Sequence, residues 1–402
     1  MLRLEDFRHI VPDETLAEIY ARARKLYGKH IIHLNATYQG GGVAEILYSL
    51  AMLMNDVGID AGWRILHGSQ EFFEITKSFH NALQGAKLNL SERKKRLYRM
   101  VNENFSRFTH LAHDCVIVHD PQPLALIASY RKQQPWIWRC HIDLTDPHAE
   151  LWDFLKGFVL KYDQMVVSSE KYFKEDLPVD QRLMYPAINP LSPKNVTLSE
   201  RAVQEQLSKA GVPLDKPLIT QVSRLDPWKD PEGVIDVFKM VKQQIDCRLV
   251  LCYNVASDDP EGLQMYKKVQ RKANRMLESD DILLVVGNSE KLVNAIQRHS
   301  QVVIQKSTKE GFCLAVTEAM WKGTPVVASN VGGIPAQIEN GKSGYLLKPR
   351  DLEGFAERIV HLLKHRDEAE ELGRQARERV REKFLITRLL SDYLDMLNAI
   401  MA

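Results

Sequence analysis

The sequence predicts an α/β protein built from two doubly wound parallel sheets. Short runs rich in Val and Ile alternate with longer amphipathic stretches along the chain. The runs are apolar throughout, as strands covered on both faces are, rather than alternating in polarity. The stretch "YPAINPLSPKN" (185–195), with Pro186, Pro190 and Pro193, interrupts the series near its middle, where neither a helix nor a central strand continues. A length of 402 residues also suits two domains.

The elements follow in order. "HIIHLN" (30–35) is the first expected strand, and the helical pattern "VAEILYSLAMLMNDVG" comes after it. "CVIVHD" (115–120), "WIWRCHID" (136–143) and "QMVVSS" (164–169) complete the first set. The second set is "LITQVSRL" (218–225), "RLVLCYN" (248–254), "DILLVVG" (281–287), "QVVIQK" (301–306) and "TPVVAS" (324–329), with the helical pattern "EGLQMYKKVQRKANRMLESD" inside it. From about 380 a long helical pattern, ending "LITRLLSDYLDMLNAIMA", closes the sequence. The expected division is 1–190 and 191–380, each Rossmann-like, followed by a helix over 381–402.

Composition narrows the function. Hydrophobic residues make up 45%, enough for two cores, and 54 basic against 52 acidic residues leave a net charge of +2. That balance gives no bulk electrostatic case for nucleic acid or an anionic membrane. The opening "MLRLEDFRHIVPDE" carries acids and no apolar core, so it does not read as a secretory leader, and "ILYSLAMLM" is too short to span a bilayer. A cytoplasmic protein is expected. Five cysteines stand at no paired spacing and read as reduced thiols. In "HLAHDCVIVHD", His110, His113, Cys115 and His119 have a spacing that can reach a zinc ion; the competing and favoured reading is a buried strand whose side chains point alternately to two faces.

Open α/β sheets bind ligands beyond the carboxyl ends of their strands, so the residues after each strand are the candidates, and with two such domains a central cleft is the expected site. After the first strand, Gly40, Gly41 and Gly42 open a helix whose N–H groups can meet a phosphate. Glu45 occupies the third glycine position of a dinucleotide fingerprint, which weakens a nicotinamide reading; a tight turn that merely needs glycine competes. Arg224 and Lys229, in "SRLDPWKDPEG", are two cations at a strand end ahead of a helix, suited to a diphosphate or, equally, to a solvated turn. His141 and Asp143, read on one face of the third strand, and Asp120 in "HDPQP" are candidate substrate contacts or satisfied structural groups.

"STKEGFCLAVTEAM" (307–320) sets Glu310 and Glu318 with seven residues between them. Glu310 precedes a helix, Glu318 lies on it, and the N–H groups from Gly311 to Leu314 are expected to be open to a ligand oxygen. Each carboxylate has two acceptor oxygens, which suits vicinal hydroxyls, one pair on a sugar and one on a ribose. A hydrolase acid/base pair would need a set separation that sequence does not give. Cys313, beside the helix start, is expected to carry a reachable thiol of lowered pKa; packing beneath the helix is the alternative.

"STKEGFCLAVTEAMWKGTPVVASNVGGIP" resembles the signature of retaining GT-B glycosyltransferases of family four, "SRLDPWKD" resembles their Arg…Lys diphosphate clamp, and "GGGVAEIL" their N-domain glycine loop. "SFHNALQG", "RCHIDLTDPH" and "QKSTKEGF" are similar to the trehalose glycosyltransferring synthases and the related trehalose phosphorylases. The chain departs from the family pattern at Cys313 and at Asp230, where glycine is usual, and in "VLCYN". The resemblance implies a GT-B fold with two Rossmann-like domains facing a central cleft and a C-terminal helix crossing back to the first. It implies that Glu310 holds the donor sugar and Glu318 the ribose, and that Arg224 and Lys229 hold the diphosphate. Gly41 and Gly42 approach that diphosphate, and His141 lies by the sugar. Gly311, Phe312, Cys313 and Leu314 line the donor site, with Asp120 and Asp143 toward the acceptor. The implied reaction is reversible transfer of glucose from a nucleoside diphosphate glucose to glucose, giving α,α-trehalose. Phosphorolysis of trehalose and a non-catalytic nucleotide-sugar-binding regulator are the alternatives. No metal or cofactor is expected. The expected partners are a nucleoside diphosphate glucose and glucose or trehalose, with no nucleic acid and no membrane; a homodimer is left open.

Overall fold

The computed structural model describes residues 2–38, 41–254, 260–287 and 289–402. The chain divides into two compact units, Met1–Ala187 with Ile386–Ala402, and Ile188–Leu385. Among the described residues no helix is long and apolar enough to cross a membrane.

The first unit is built on a six-stranded sheet of β1 (His30–Asn35), β2 (Asp60–Ile65), β3 (Cys115–His119), β4 (Trp136–Arg139), β5 (Gln164–Val167) and β6 (Asp180–Leu183), in the order β2-β1-β3-β4-β5-β6. Every pairing is parallel. Ile32, Leu34, Val116, Val118, Trp136 and Trp138 pack on Phe72, Phe79 and Tyr98 from the helices Gln70–Leu83 and Glu92–Ser106. The helix Ile386–Ile400 belongs to this unit. Arg22 pairs with its Asp395 at 3.0 Å, and Asn398 Nδ2 donates to the Arg22 carbonyl at 3.1 Å.

The second unit repeats the plan with β7 (Leu218–Arg224), β8 (Arg248–Asn254), β9 (Ile282–Val286), β10 (Val302–Gln305), β11 (Val326–Ser329) and β12 (Tyr345–Leu347), in the order β12-β11-β10-β7-β8-β9, again all parallel. Its strands are covered on both faces. Ile219, Leu249 and Ile304 pack toward Val234, Phe238 and Phe355, whereas Leu218 and Val250 pack toward Val203, Leu207 and Ile296. This double burial is why the strands read as continuous apolar runs.

Three strands were not legible from those runs: β2, β6 and β12. All are edge strands, with no fully buried residue in their burial patterns. An edge strand has half its surface toward solvent or a loop, so "DAGWRI" and "DQRL" carry charges where a central strand does not. Two further expectations are corrected. The strand expected over 136–143 stops at Arg139, because the His141 N–H donates to the Asp120 carboxylate at 2.8 Å instead of continuing the ladder. His141 and Asp143 therefore lie in a loop and not on one strand face. The helical pattern from about 380 is divided: one helix ends at Lys383, and the next begins at Ile386 after Leu385 bridges Ile188.

Candidate active site

In a parallel sheet all carboxyl ends lie along one edge, and a crevice opens where the strand order reverses. In the second unit that reversal falls between β7 and β10. The loop after β7 carries Arg224 and Lys229, and the loop after β10 carries Glu310. The two candidate motifs thus flank the switch point of their sheet.

The two loops are tied to each other. The Thr308 N–H donates to the Trp228 carbonyl at 2.7 Å, and Gln221 Nε2 holds the Lys229 carbonyl at 2.8 Å. The Lys229 ammonium donates to the Glu310 carboxylate, which also accepts from Ser307 Oγ at 3.2 Å. Both partners of this ion pair are largely buried, with side chains 15% and 11% exposed. Burial alone lowers the Lys229 pKa; the Glu310 charge beside it outweighs that, and the net shift is upward. Arg224 is different. Its side chain is 54% exposed and pairs with the Asp226 carboxylate at 3.4 Å. Asp226 in turn accepts from the Trp228 N–H at 2.9 Å and so shapes the turn.

Asp230 explains one departure from the family pattern. It stands at φ 46°, a left-handed conformation that glycine reaches without strain. The aspartate makes up for this through its side chain, which caps the helix Pro231–Lys242 by accepting from the Gly233 N–H at 3.0 Å and pairs with the buried Lys306 ammonium.

Cys313 is the second departure, also in a left-handed conformation, at φ 74° and ψ 76°. It caps the helix Leu314–Trp321 without a side-chain hydrogen bond, and it is only 8% exposed. Burial, with Glu310 adding to it, pushes its thiol pKa up. The expected reachable, acidified thiol is therefore corrected: desolvation outweighs the helix terminus here. Gly311 and Phe312 already hold contacts of their own, and the Phe312 carbonyl accepts from Gln337 Nε2. Gly333 backs this segment so closely that a Cβ there would meet the Gly311 carbonyl oxygen at 2.6 Å.

Glu318, in that helix, is buried and lies 3.6 Å from the Lys194 ammonium. Sequence reasoning missed Lys194, which sits in the proline-rich stretch read only as a boundary. Ser307 was passed over as well, although it directly follows a strand end in the same run as Glu310.

In the first unit the strand order reverses between β1 and β3. Gly42 begins the helix Gly42–Asp56 and Gly41 caps it; Gly40 lies outside the described residues. Gly41 has φ −170°, which any residue adopts, and a Cβ there would meet nothing within 4 Å. Neither conformation nor packing against the described residues requires glycine at that position. What a side chain would take up is open space, as a close ligand approach needs.

Asp120, after β3, holds φ 62°, and burial raises its carboxyl to about 7. It accepts from the His141 N–H as described, while Asp143 accepts from the Thr145 N–H at 2.9 Å. Asp120 thus ties its loop to the one after β4, and Asp143 shapes its own loop, each with one oxygen. His141 is half-buried, and its ring continues a file of histidines: His119 Nδ1 lies 3.0 Å from His141 Nε2, and His33 Nδ1 lies 3.0 Å from His119 Nε2. Both ring nitrogens of His119 are thereby engaged, and Cys115 is buried within β3. Among the described residues no three His, Cys, Asp or Glu side chains converge as a metal set would, which removes the zinc reading of His110, His113, Cys115 and His119.

Two Rossmann-like sheets in one chain, with a cation–carboxylate pair at the switch point of the second, are the architecture of a GT-B glycosyltransferase. Residues 203–379 match the family described as "Glycosyl transferases group 1". The chain is 16% identical to a sucrose-phosphate synthase from Thermosynechococcus elongatus, with a TM-score of 0.71 over 92% of this chain and 100% of that one. It is 13% identical to a UDP-forming α,α-trehalose-phosphate synthase from Burkholderia xenovorans, with a TM-score of 0.74 over 92% and 100%. The protein is a glycosyltransferase. Residues 33–174 match the family described as "Trehalose synthase, N-terminal domain". The chain is 48% identical over 401 residues to a trehalose synthase from Thermococcus litoralis, covering 99% of this chain and 97% of that protein. Against a trehalose phosphorylase from Pleurotus pulmonarius it is 28% identical over 91% of this chain and 56% of that protein. The chain belongs to the trehalose synthase family.

Proposed function

We propose that the protein is a retaining glucosyltransferase that transfers glucose from a nucleoside diphosphate glucose to the anomeric hydroxyl of free glucose, giving α,α-trehalose, and that the reaction is reversible. The observation that carries this reading is the Lys229–Glu310 pair at the β7/β10 switch point, in a chain 48% identical to a trehalose synthase over nearly its full length. A cation and a carboxylate side by side suit the two halves of such a donor, its diphosphate and its sugar hydroxyls.

In the reaction the bond from the sugar anomeric carbon to the phosphate oxygen breaks. A bond to the acceptor oxygen forms on the same face, and the acceptor proton passes to the leaving phosphate. Arg224 and Lys229 stabilise the charge that develops there. Glu310 holds donor-sugar hydroxyls, Glu318 the ribose diol, and Gly41 and Gly42 the diphosphate through their N–H groups. Gly311 to Leu314, Cys313 included, line the donor, His141 contacts its sugar, and Asp120 and Asp143 serve the acceptor. Donor binding draws Lys229 toward the diphosphate and releases Glu310 to the sugar.

The test is a screen of nucleoside diphosphate glucoses, each with glucose as acceptor, read by chromatography for trehalose. Trehalose from at least one donor is expected. No trehalose from any donor, with glucose 1-phosphate released from trehalose and inorganic phosphate, would replace this reading by phosphorolysis.

A further inference from the structure

His33, His119 and His141 come from β1, β3 and the loop after β4, three neighbouring positions at the carboxyl edge of one sheet. Their rings make two consecutive nitrogen–nitrogen contacts of 3.0 Å. The planes of His119 and His141 differ by 15° and those of His33 and His119 by 33°, and in both pairs the ring centroids are 5.3 Å apart, so the rings meet end to end and a hydrogen on one points close to the in-plane lone pair of the next. Loss of solvent holds all three neutral, and Arg139 adds to this at His119 and His141. A neutral imidazole has one N–H and one bare nitrogen. Once the first ring is set, each contact therefore sets the next.

Two directions satisfy both contacts, and the inner end decides between them. His33 is fully buried, and its Nε2 has no hydrogen-bond partner among the described residues. A hydrogen on Nε2 would be a buried donor with no acceptor, which folded proteins tolerate less than a bare acceptor. The His33 hydrogen therefore sits on Nδ1 and is donated to His119 Nε2. His119 then carries its hydrogen on Nδ1 and donates it to His141 Nε2. His141 is left with its hydrogen on Nδ1, at the outer end of the file.

We propose that His33 and His119 are positioning residues that fix His141 as the Nδ1–H tautomer, so that His141 acts as a hydrogen-bond donor toward a sugar oxygen. Only the last clause rests on the proposed glucosyl transfer; the tautomer does not.

The test has a spectroscopic and a kinetic arm. Long-range 1H–15N correlation on histidine-labelled protein, with peaks assigned by single substitutions, reads each tautomer directly. His119 and His141 are expected as Nδ1–H. In His33→Leu, His141 is expected to populate both tautomers, and kcat to fall about tenfold with the donor KM changed less than about twofold. His33→Asn, whose amide N–H reaches the place of Nδ1, is expected to restore both. An Nε2–H tautomer at His141 in the unsubstituted protein overturns the proposal, as does an unchanged His141 tautomer in His33→Leu. The expected tautomers together with full turnover in His141→Ala uphold the relay and overturn the placing of His141 on the sugar.

Discussion

The Lys229 ammonium and the Glu310 carboxylate are bonded to each other at the switch point of the second sheet, whereas Arg224, five residues before Lys229, is more than half exposed. The two cations of the clamp are therefore separable by experiment. Arg224→Ala is expected to lower kcat/KM about a hundredfold, roughly 2.7 kcal/mol of transition-state stabilisation, with an unchanged melting temperature. Lys229→Ala is expected to lose activity and also about 3 kcal/mol of stability, because it strips the ammonium from a buried carboxylate. Adding Glu310→Gln to Lys229→Ala is expected to recover most of that stability. Additive losses in a denaturant double-mutant cycle would show that the pair is not coupled.

The two glutamates are expected to divide their work. Glu310→Gln lowers turnover, while Glu318→Gln mainly weakens donor binding. Because Lys194 lies 3.6 Å from Glu318, Lys194→Ala is expected to follow the Glu318→Gln pattern. Calorimetric donor affinities beside steady-state rates decide this, and identical profiles for Glu310→Gln and Glu318→Gln would contradict the division.

Cys313 makes a prediction opposite to its sequence signal. With the thiol buried and its pKa raised, iodoacetamide at pH 8 is expected to label it far more slowly than a free thiol peptide. Its left-handed backbone separates two substitutions. Cys313→Gly is expected to stay within about 1 kcal/mol of the original, as relief of strain offsets lost burial and a more flexible unfolded chain. Cys313→Val, β-branched in the same conformation, is expected to cost at least about 2 kcal/mol. Urea titrations of both variants measure the difference.

The histidine file predicts acid sensitivity. His33 falls from 6.5 to about 4 on folding, and His119 and His141 fall well below 6.5. As pH drops below 6.5 the unfolded chain takes up protons that the folded chain refuses, so stability present above 6.5 is lost toward pH 4. Asp120, raised to about 7, works the other way and is more favourable to folding at acid pH. Three groups against one leave a net loss on acidification, of up to about 2.7 kcal/mol per pH unit at two net protons. Urea midpoints at pH 6.5 and pH 5 check the sign, and His33→Leu is expected to flatten the slope.

What was legible in the sequence follows burial. Central strands such as "CVIVHD" and "RLVLCYN" show themselves because both faces are covered, whereas "DAGWRI" at an edge does not. Glu310, Glu318, Arg224 and Lys229 were visible because each follows a recognisable strand or lies on the helix after one. Lys194 was not, since its partner is more than a hundred residues away and nothing in "SPKN" announces it. The conformations of Asp230 and Cys313 were hidden too, because a left-handed residue that is not glycine leaves no mark in sequence. The histidine file was spread over three distant segments, and only the fold brings its rings into line.

The pairing of Ile188 with Leu385, supported by the Ile188 N–H donating to the Phe384 carbonyl at 2.9 Å, sets the entry and exit of the second unit side by side. That unit is topologically an insertion in the first, entered and left at this pair. During synthesis the inserted unit is complete before the ribosome has made Ile386–Ile400, the helix whose Tyr393 lies against the His33 ring. The first unit must therefore wait, partly built, for its final piece, although it was begun first. The first unit ties its own two ends together, with the Arg388 guanidinium donating to the Tyr185 and Pro186 carbonyls at 2.8 and 3.2 Å, so the inserted unit is exchangeable as a cassette, cut between Ala187 and Ile188 and between Leu385 and Ile386.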